Sequence, residues 1–291
     1  MIYIVKPGDT LAGIAAQFGF TPKTIMENNV ICNPNLIFIN QPIYIPNPAI
    51  EYGKVGGYPY YVVQFGDTLA CLAAHFNQTV TNLAAANQLS NPNQIFVGDE
   101  LLVGVNRPNP EVLFSRWNPD DCEYTNNNIA FDYHLSGSYL WESLGENAVP
   151  YLIRLLKHKC ATIRFFAVVS LGRIATGDST RLALEKALKD EDSKVIELAH
   201  LALYRTELVK TYTKRLHLVT NDLALMPEPK FESPSVSVPV PRGTEVISLR
   251  WKIPSTTDEE GPWGGPMYYD KIQILNSGKV GYLPRLGLGL I

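Results

Sequence analysis

The sequence predicts an α+β chain of several domains: two βααβ modules, an α-helical repeat segment, and a small β-rich C-terminal piece. Three observations carry that expectation. The phrase VKPGDTLAGIAAQFG returns later as VQFGDTLACLAAHFN, a second and purely helical periodicity follows, and β-branched and aromatic runs gather after residue 245. The implied division is 1–46 and 60–104 for the modules, with a linker at 47–59 and a connector at 105–138. Helical repeats at 139–225, a proline-rich linker at 226–244 and the β-rich piece at 245–291 complete it.

The repeat is ungapped. Tyr3–Pro46 aligns with Tyr61–Gly104 at an offset of 58, and 17 of the 44 pairs are identical. Tyr3-Ile4-Val5 and Tyr61-Val62-Val63 read as short strands ended by turn glycines Gly8 and Gly66. Asp9-Thr10 and Asp67-Thr68 offer side-chain oxygens where a helix needs its first amides capped. Leu11, Ile14, Ala15 and Phe18 then recur on one helical face, as do Leu69, Leu72, Ala73 and Phe76. Gly19 is replaced by Asn77 and Gly98 stands at the position of Asn40, both exchanges between residues that tolerate a left-handed backbone. Thr21-Pro22 and Thr79-Val80 open a second helix, with Pro22 at its first position. Ile43-Tyr44-Ile45 and Leu101-Leu102-Val103 close each copy as a strand antiparallel to the first.

Strand, GDTL, helix, helix, NPN turn and closing strand together resemble the LysM module, a βααβ glycan-binding domain. Gln41-Pro42 and Asp99-Glu100 depart from that family's usual glycine-glutamine, and Gly104 from its final proline. The resemblance implies binding of N-acetylglucosamine-containing glycan, such as peptidoglycan or chitin, in a shallow groove between two loops. It places that groove at Gly8, Asp9, Thr10, Leu11, Asn35, Leu36 and Ile37 in the first copy. In the second it falls at Gly66, Asp67, Thr68, Leu69, Asn93, Gln94 and Ile95. Backbone and amide groups there suit an N-acetyl group, and short apolar side chains suit sugar C–H surface. Asn29 and Asn87 read as turn-bonding residues. The linker at 47–59, if a flexible coil, reaches roughly 20 Å, so both modules could engage one polymer with added avidity.

After the connector, residues near 149–174 match residues near 180–206 at an offset of 32: Leu152 falls on Leu184, Leu156 on Leu188 and Leu171 on Leu203. Helix pairs of this length resemble HEAT-type repeats, which implies a protein-contact or spacer role. Leu140–Leu144 reads as a capping helix, and Leu208–Leu225 as a helical continuation. Trp251, Trp263, Tyr268, Tyr269 and Tyr282 read as a small β-core more readily than as a sugar platform.

No catalytic constellation is evident. Cys122 and His134 are the nearest approach to a nucleophile–base pair and lack its usual surroundings. Asp120-Asp121-Glu123 and Asp258-Glu259-Glu260 read as solvated charge runs rather than glycosidase carboxylates. His75, His134, His158, His200 and His217 have no ligand spacing, so no metal and no cofactor is expected. The expectation is a non-enzymatic adaptor, with a peptidoglycan hydrolase centred in 104–145 or 245–291 as the rival. The four cysteines, Cys32, Cys71, Cys122 and Cys160, form no CxxC pair and read as free buried thiols. A net charge of −3 gives no reason to expect nucleic acid or an anionic membrane as partner. The first residues show no signal peptide, so the expectation is synthesis in the cytoplasm, with the protein either staying there or reaching a spore or cell wall after deposition or cell lysis. LysM modules without signal peptides also occur in spore-envelope and phage-tail or injection proteins, and the resemblance leaves those settings open.

Overall fold

The computed structural model describes residues 1–46, 54–122, 128–212, 215–232, 235–262 and 264–291. The first repeat folds as β1 (Ile2–Ile4), α1 (Leu11–Gln17), α2 (Pro22–Asn28) and β2 (Pro42–Tyr44). The second gives β3 (Tyr60–Val62), α3 (Leu69–His75), α4 (Val80–Ala86) and β4 (Glu100–Leu102), and in each copy the two strands pair antiparallel. Helix starts follow the expected chemistry: the hydroxyls of Thr10 and Thr68 accept from the amides of Gly13 at 3.1 Å and Cys71 at 3.2 Å. Thr21 and Thr79 do the same for α2 and α4. Leu11, Ile14 and Ala15, and likewise Leu69, Leu72 and Ala73, form the buried stripe of each module. The permissive positions hold positive φ in both copies: 75° at Gly19 and 54° at Asn77, 66° at Asn40 and 90° at Gly98.

Asp9 and Asp67 depart from the expected cap. Asp9 Oδ2 accepts from the Lys6 amide (2.7 Å) and the Tyr3 hydroxyl (2.8 Å), and Asp67 Oδ2 from Gln64 (2.8 Å) and Tyr61 (2.6 Å). One residue before the N-cap, the carboxylate faces back over the turn, so it fastens the loop to the strand while threonine alone caps the helix.

Asn29 is fully buried and bridges the helix to the closing strand. Its Nδ2 donates to Ile25 O and Tyr44 O at 2.8 Å, and its Oδ1 accepts from Tyr44 N at 2.9 Å. Asn87 repeats this bracket with Leu83 and Leu102. Asn29→Ala removes three buried side-chain hydrogen bonds to the Ile25 and Tyr44 backbone, and thermal or denaturant unfolding is expected to show a loss of about 2–3 kcal/mol. A change within 0.5 kcal/mol would mean that the bracket contributes little.

The helices extend over 110–208 rather than 139–225. They are α5 (Pro110–Arg116), α6 (Asn128–Leu144), α7 (Val149–Leu155), α8 (Ala161–Ile174), α9 (Asp178–Ala187) and α10 (Ser193–Leu208), with a short 3₁₀ turn at Gly145–Ala148. The pairs α7/α8 and α9/α10 are the units of the helical periodicity. Arg164 clasps them through a two-pronged ion pair with Asp190, at 2.8 and 2.9 Å. Trp117, Trp141, Phe166 and Leu152 anchor one continuous apolar core. α5 and the start of α6 occupy stretches expected to be connector; Trp117 and Leu113 bury themselves in that core and so draw the segment in. Among the described residues no helix is long and apolar enough to cross a membrane.

Beyond Leu208 the chain turns to strand, not to further helix. β5 (Leu216–Leu218), β8 (Glu245–Pro254), β9 (Tyr268–Ile274) and β10 (Val280–Pro284) form an antiparallel sheet of order β10-β9-β8-β5. β6 (Leu223–Leu225) pairs with β7 (Val238–Val240), which places part of the proline-rich stretch in a ladder. Leu216 finds an open edge opposite Ile247, and Leu218 exchanges backbone bonds with Ile291, a distant pairing that outweighs local helical pattern. Trp251, Tyr269 and Tyr282 are buried in the cores of this unit, and Trp263 lies outside the described residues.

The cysteines are not free. Cys32 is bonded to Cys71, joining the two modules, and Cys122 to Cys160, joining the connector to the helices. Sequence separations of 39 and 38 hide both pairs from any spacing rule. Both modules also lie on the C-terminal β unit. Tyr44 packs with Val55, Ile253, Tyr269 and Tyr282. Tyr60, Val62 and Leu102 pack with Trp251. A 44-residue module has little core of its own, and this second buried face supplies what it lacks. Residues 54–59 take part in that contact: Val55 bridges to Asn29 and Gly56 to Trp251. The expected flexible linker is therefore fixed over this half, while its 47–53 half lies outside the described residues.

Candidate glycan-binding loops

In each module the candidate site consists of the turn before the first helix and the loop before the closing strand. The first loop is shaped by the glycine, φ 86° at Gly8 and 89° at Gly66, and by the aspartate clamp. The second begins in an Asx turn, with Asn33 Oδ1 accepting from the Asn35 amide at 2.9 Å and Asn91 Oδ1 from Asn93 at 3.0 Å. It ends on the first strand: Asn40 N donates to Val5 O and Gly98 N to Val63 O, both at 2.9 Å. The two departures from the family pattern serve one purpose, since Gln41 Oε1 accepts from the Phe38 amide (2.9 Å) and Asp99 Oδ2 from the Phe96 amide (2.7 Å). Different side chains thus hold one loop shape.

Gly8, Thr10, Asn35, Gly66, Thr68, Asn93 and Gln94 are exposed, and Asp9, Asp67, Leu36, Ile37 and Ile95 are half-buried. Leu11 and Leu69 are only 1% and 2% exposed and belong to the module cores, so their side chains leave the contact set. The equivalent aspartates differ electrostatically. The Lys6 amide and the Tyr3 hydroxyl hold the Asp9 carboxyl below its usual range, whereas burial pushes Asp67 up against the pull of Tyr61, Gln64 and Arg250.

The modules meet at these loops. Leu36 of the first lies over Gly66 of the second, so closely that a Cβ there would come within 2.4 Å of Leu36 Cδ1. Val30 of the first module enters the core of the second beside the Cys32–Cys71 bond. Phe38 and Phe96 occupy matching positions next to the second loops and are 42% and 67% exposed. The signal for them was present in the alignment: an aromatic identity retained where no core requires it.

Three of the remaining candidates for chemistry are engaged elsewhere. Cys122 is disulfide-bonded, while His134 is buried against Trp117 and Phe166. Glu259 accepts from Thr257, Tyr269 and the Phe231 amide. Glu123 lies outside the described residues. Among the described residues, Cys32, Cys71 and His75 have ligand atoms within 4.8 Å of one another, but both sulfurs are in the disulfide.

Residues 3–46 and 61–104 match the LysM domain, so the chain carries two LysM domains. Among curated proteins, the autolysin of Enterococcus faecalis is 37% identical over 114 residues, covering 35% of this chain and 15% of its own. The secreted LysM effector ECP6 of Passalora fulva is 34% identical over 119 residues, covering 35% of this chain and 52% of its own. The chain thus spans about half or less of the length of these relatives. The crystal structure of the Bacillus megaterium QM B1551 spore cortex-lytic enzyme SleL aligns over 98% of this chain and 88% of that one. Its identity is 12% and its TM-score 0.17, a likeness too weak to carry an argument.

Proposed function

We propose that the two LysM domains bind a glycan containing N-acetylglucosamine, peptidoglycan or chitin-like, and that the chain acts without catalysis as a cell-wall or spore-envelope adaptor. The observation that carries this reading is the loop pair itself, held by equivalent bonds in both copies while its outward amides stay exposed. Exposed backbone and amide groups at Thr10, Asn35, Thr68, Asn93 and Gln94 meet the N-acetyl group, and Leu36, Ile37, Ile95 and the rings of Phe38 and Phe96 meet sugar C–H surface. The helix pairs, HEAT-like in length and pairing, serve as a spacer or protein-contact surface.

Asn35→Glu, Asn93→Glu and Gln94→Glu together put carboxylates on open loops without disturbing the backbone bonds that shape them. Retention of the full chain on insoluble peptidoglycan and on chitin is expected to fall at least about tenfold, since a sugar would desolvate three charges. Unchanged retention with unchanged melting would sink the loop assignment. Release of soluble fragments by the unmodified chain would instead establish the hydrolase alternative.

A further inference from the structure

A cavity of about 210 Å³ opens where module one, module two and the β unit meet. Ile39 and Gln41 line it from just beyond the loop at 35–37, and Tyr61 and Gln64 from just before Gly66. Its far wall carries Arg250 on β8 and Lys271 on β9, which stand directly opposite each other in the ladder. Like charges in cross-strand register destabilise a sheet, and here the nearest compensation is indirect: the Asp67 field on Arg250, and the Tyr282 ring 5.6 Å from Lys271 Nζ. Among the described residues neither forms an ion pair, and the Arg250 guanidinium makes no hydrogen bond to them. Asp270, next to Lys271, is taken by Arg285 and the Lys252 amide. Asp67, whose field reaches Arg250, holds Tyr61 and Gln64 through Oδ2. Gly56, at φ 93°, leaves space for the guanidinium, because a Cβ there would come within 3.0 Å of Arg250 Nε. Burial lowers the pKa of both cations, and Arg250 lowers that of Lys271 further. The fold therefore keeps two partly desolvated cations facing one water-accessible space.

We propose that Arg250 and Lys271 form a binding site for an oxyanion, carboxylate or phosphate, carried as a substituent on the glycan that the LysM loops hold. This rests on the glycan-binding reading and deepens it. The site lies between the second loop of one module and the first loop of the other, so a strand spanning both would present its acidic groups there. A guanidinium and an ammonium side by side suit such a group, the first as a two-pronged donor and the second as a point charge. The chain would then distinguish an acid-bearing wall polymer from neutral chitin.

The test compares calorimetric binding by the full chain of three probes: a neutral N-acetylglucosamine oligomer, a peptidoglycan fragment with free stem-peptide carboxylates, and a glycerol-phosphate-bearing oligosaccharide. In the Arg250→Gln/Lys271→Gln variant the affinity for one acidic probe is expected to fall about ten- to a hundredfold, as for lost charge-assisted bonds. Affinity for the neutral oligomer is expected to stay the same. Which acidic probe responds identifies carboxylate or phosphate as the source. Arg250→Lys, which keeps the charge, is expected to retain most of the acidic-probe affinity. The double variant is also expected to melt no lower than the parent, because repulsion is relieved, whereas cations with a merely structural role would lower it. Equal losses for neutral and acidic probes, or no loss for either acidic probe, would overturn the proposal. Absence of neutral-oligomer binding by the parent chain would overturn the loop reading instead.

Discussion

Glu100→Ala is expected to lower the stability of the whole chain by about 3–5 kcal/mol, the cost of removing one partner from a buried charged network. Glu100 stands on β4 with its side chain 3% exposed and faces the β unit. It accepts from His217 Nε2 at 3.0 Å, from Trp251 Nε1 at 2.8 Å and from the Ser248 hydroxyl. Without the carboxylate three buried donors lose their acceptor, and the contact between module two and the sheet loosens with them. Thermal unfolding should show a drop on the order of 10 °C. Glu100→Gln should fall between parent and alanine, because an amide offers one acceptor and brings unwanted donors. A loss below 1 kcal/mol for the alanine variant would show that the network is incidental.

The same residue sets an acid limit. Burial alone would raise the Glu100 pKa, but His217, Ser248 and Trp251 outweigh it and hold the carboxyl below its ordinary value of 4.5. The folded pKa is depressed, so the unfolded chain binds the proton first. The contribution is present above about pH 4.5 and is lost as pH falls through the lower folded value. Melting temperature should therefore drop more steeply below pH 4.5 in the parent than in Glu100→Gln. Parallel curves would reject the assignment.

Replacing Cys32 and Cys71 by serine is expected to have the second large effect. The bond closes a loop of 39 residues, for which chain entropy alone predicts about 4 kcal/mol. Val30 and Leu36 already hold the modules together, so the measured loss should lie nearer 2–4 kcal/mol. Denaturant midpoints in the presence and absence of a dithiol reductant read this directly, with Cys122→Ser/Cys160→Ser as the companion that isolates the second bond. Glycan retention should weaken beyond what stability explains, because the bond sets the angle at which the two loop pairs meet. Reduction that leaves both midpoint and retention unchanged would count against the role given to the cross-link.

What could be read in advance was local. Thr10, Thr21, Thr68 and Thr79 cap where their position says they should, and the left-handed backbone at Gly19/Asn77 and Asn40/Gly98 was visible as an exchange between two permissive residues. The buried helix stripes were legible for the same reason, whereas Asn29 read as a turn-bonding residue and its bridge to Tyr44 on the closing strand did not show. The unreadable parts depend on partners far along the chain. Glu100 looked like a departure from a family pattern until it met His217 and Trp251, 117 and 151 residues away. The cysteines looked free because each bond crosses between structural units. Arg250 and Lys271 fell within a segment with no recognised kin, and only the strand register places them opposite one another. Aspartate at 9 and 67 was misassigned within its own turn, because composition does not say which of two adjacent oxygens faces the helix.

The seating of both modules on the sheet bears on how the protein can be taken apart. Cutting after residue 104 would uncover Tyr60, Val62 and Leu102 on one module and Tyr44 on the other, and would leave the Glu100 carboxylate with none of its donors. Such a fragment would be sticky rather than self-sufficient. The repeats align without a gap, but Pro42 in one corresponds to Glu100 in the other, and swapping or deleting a copy would unseat the sheet beneath it.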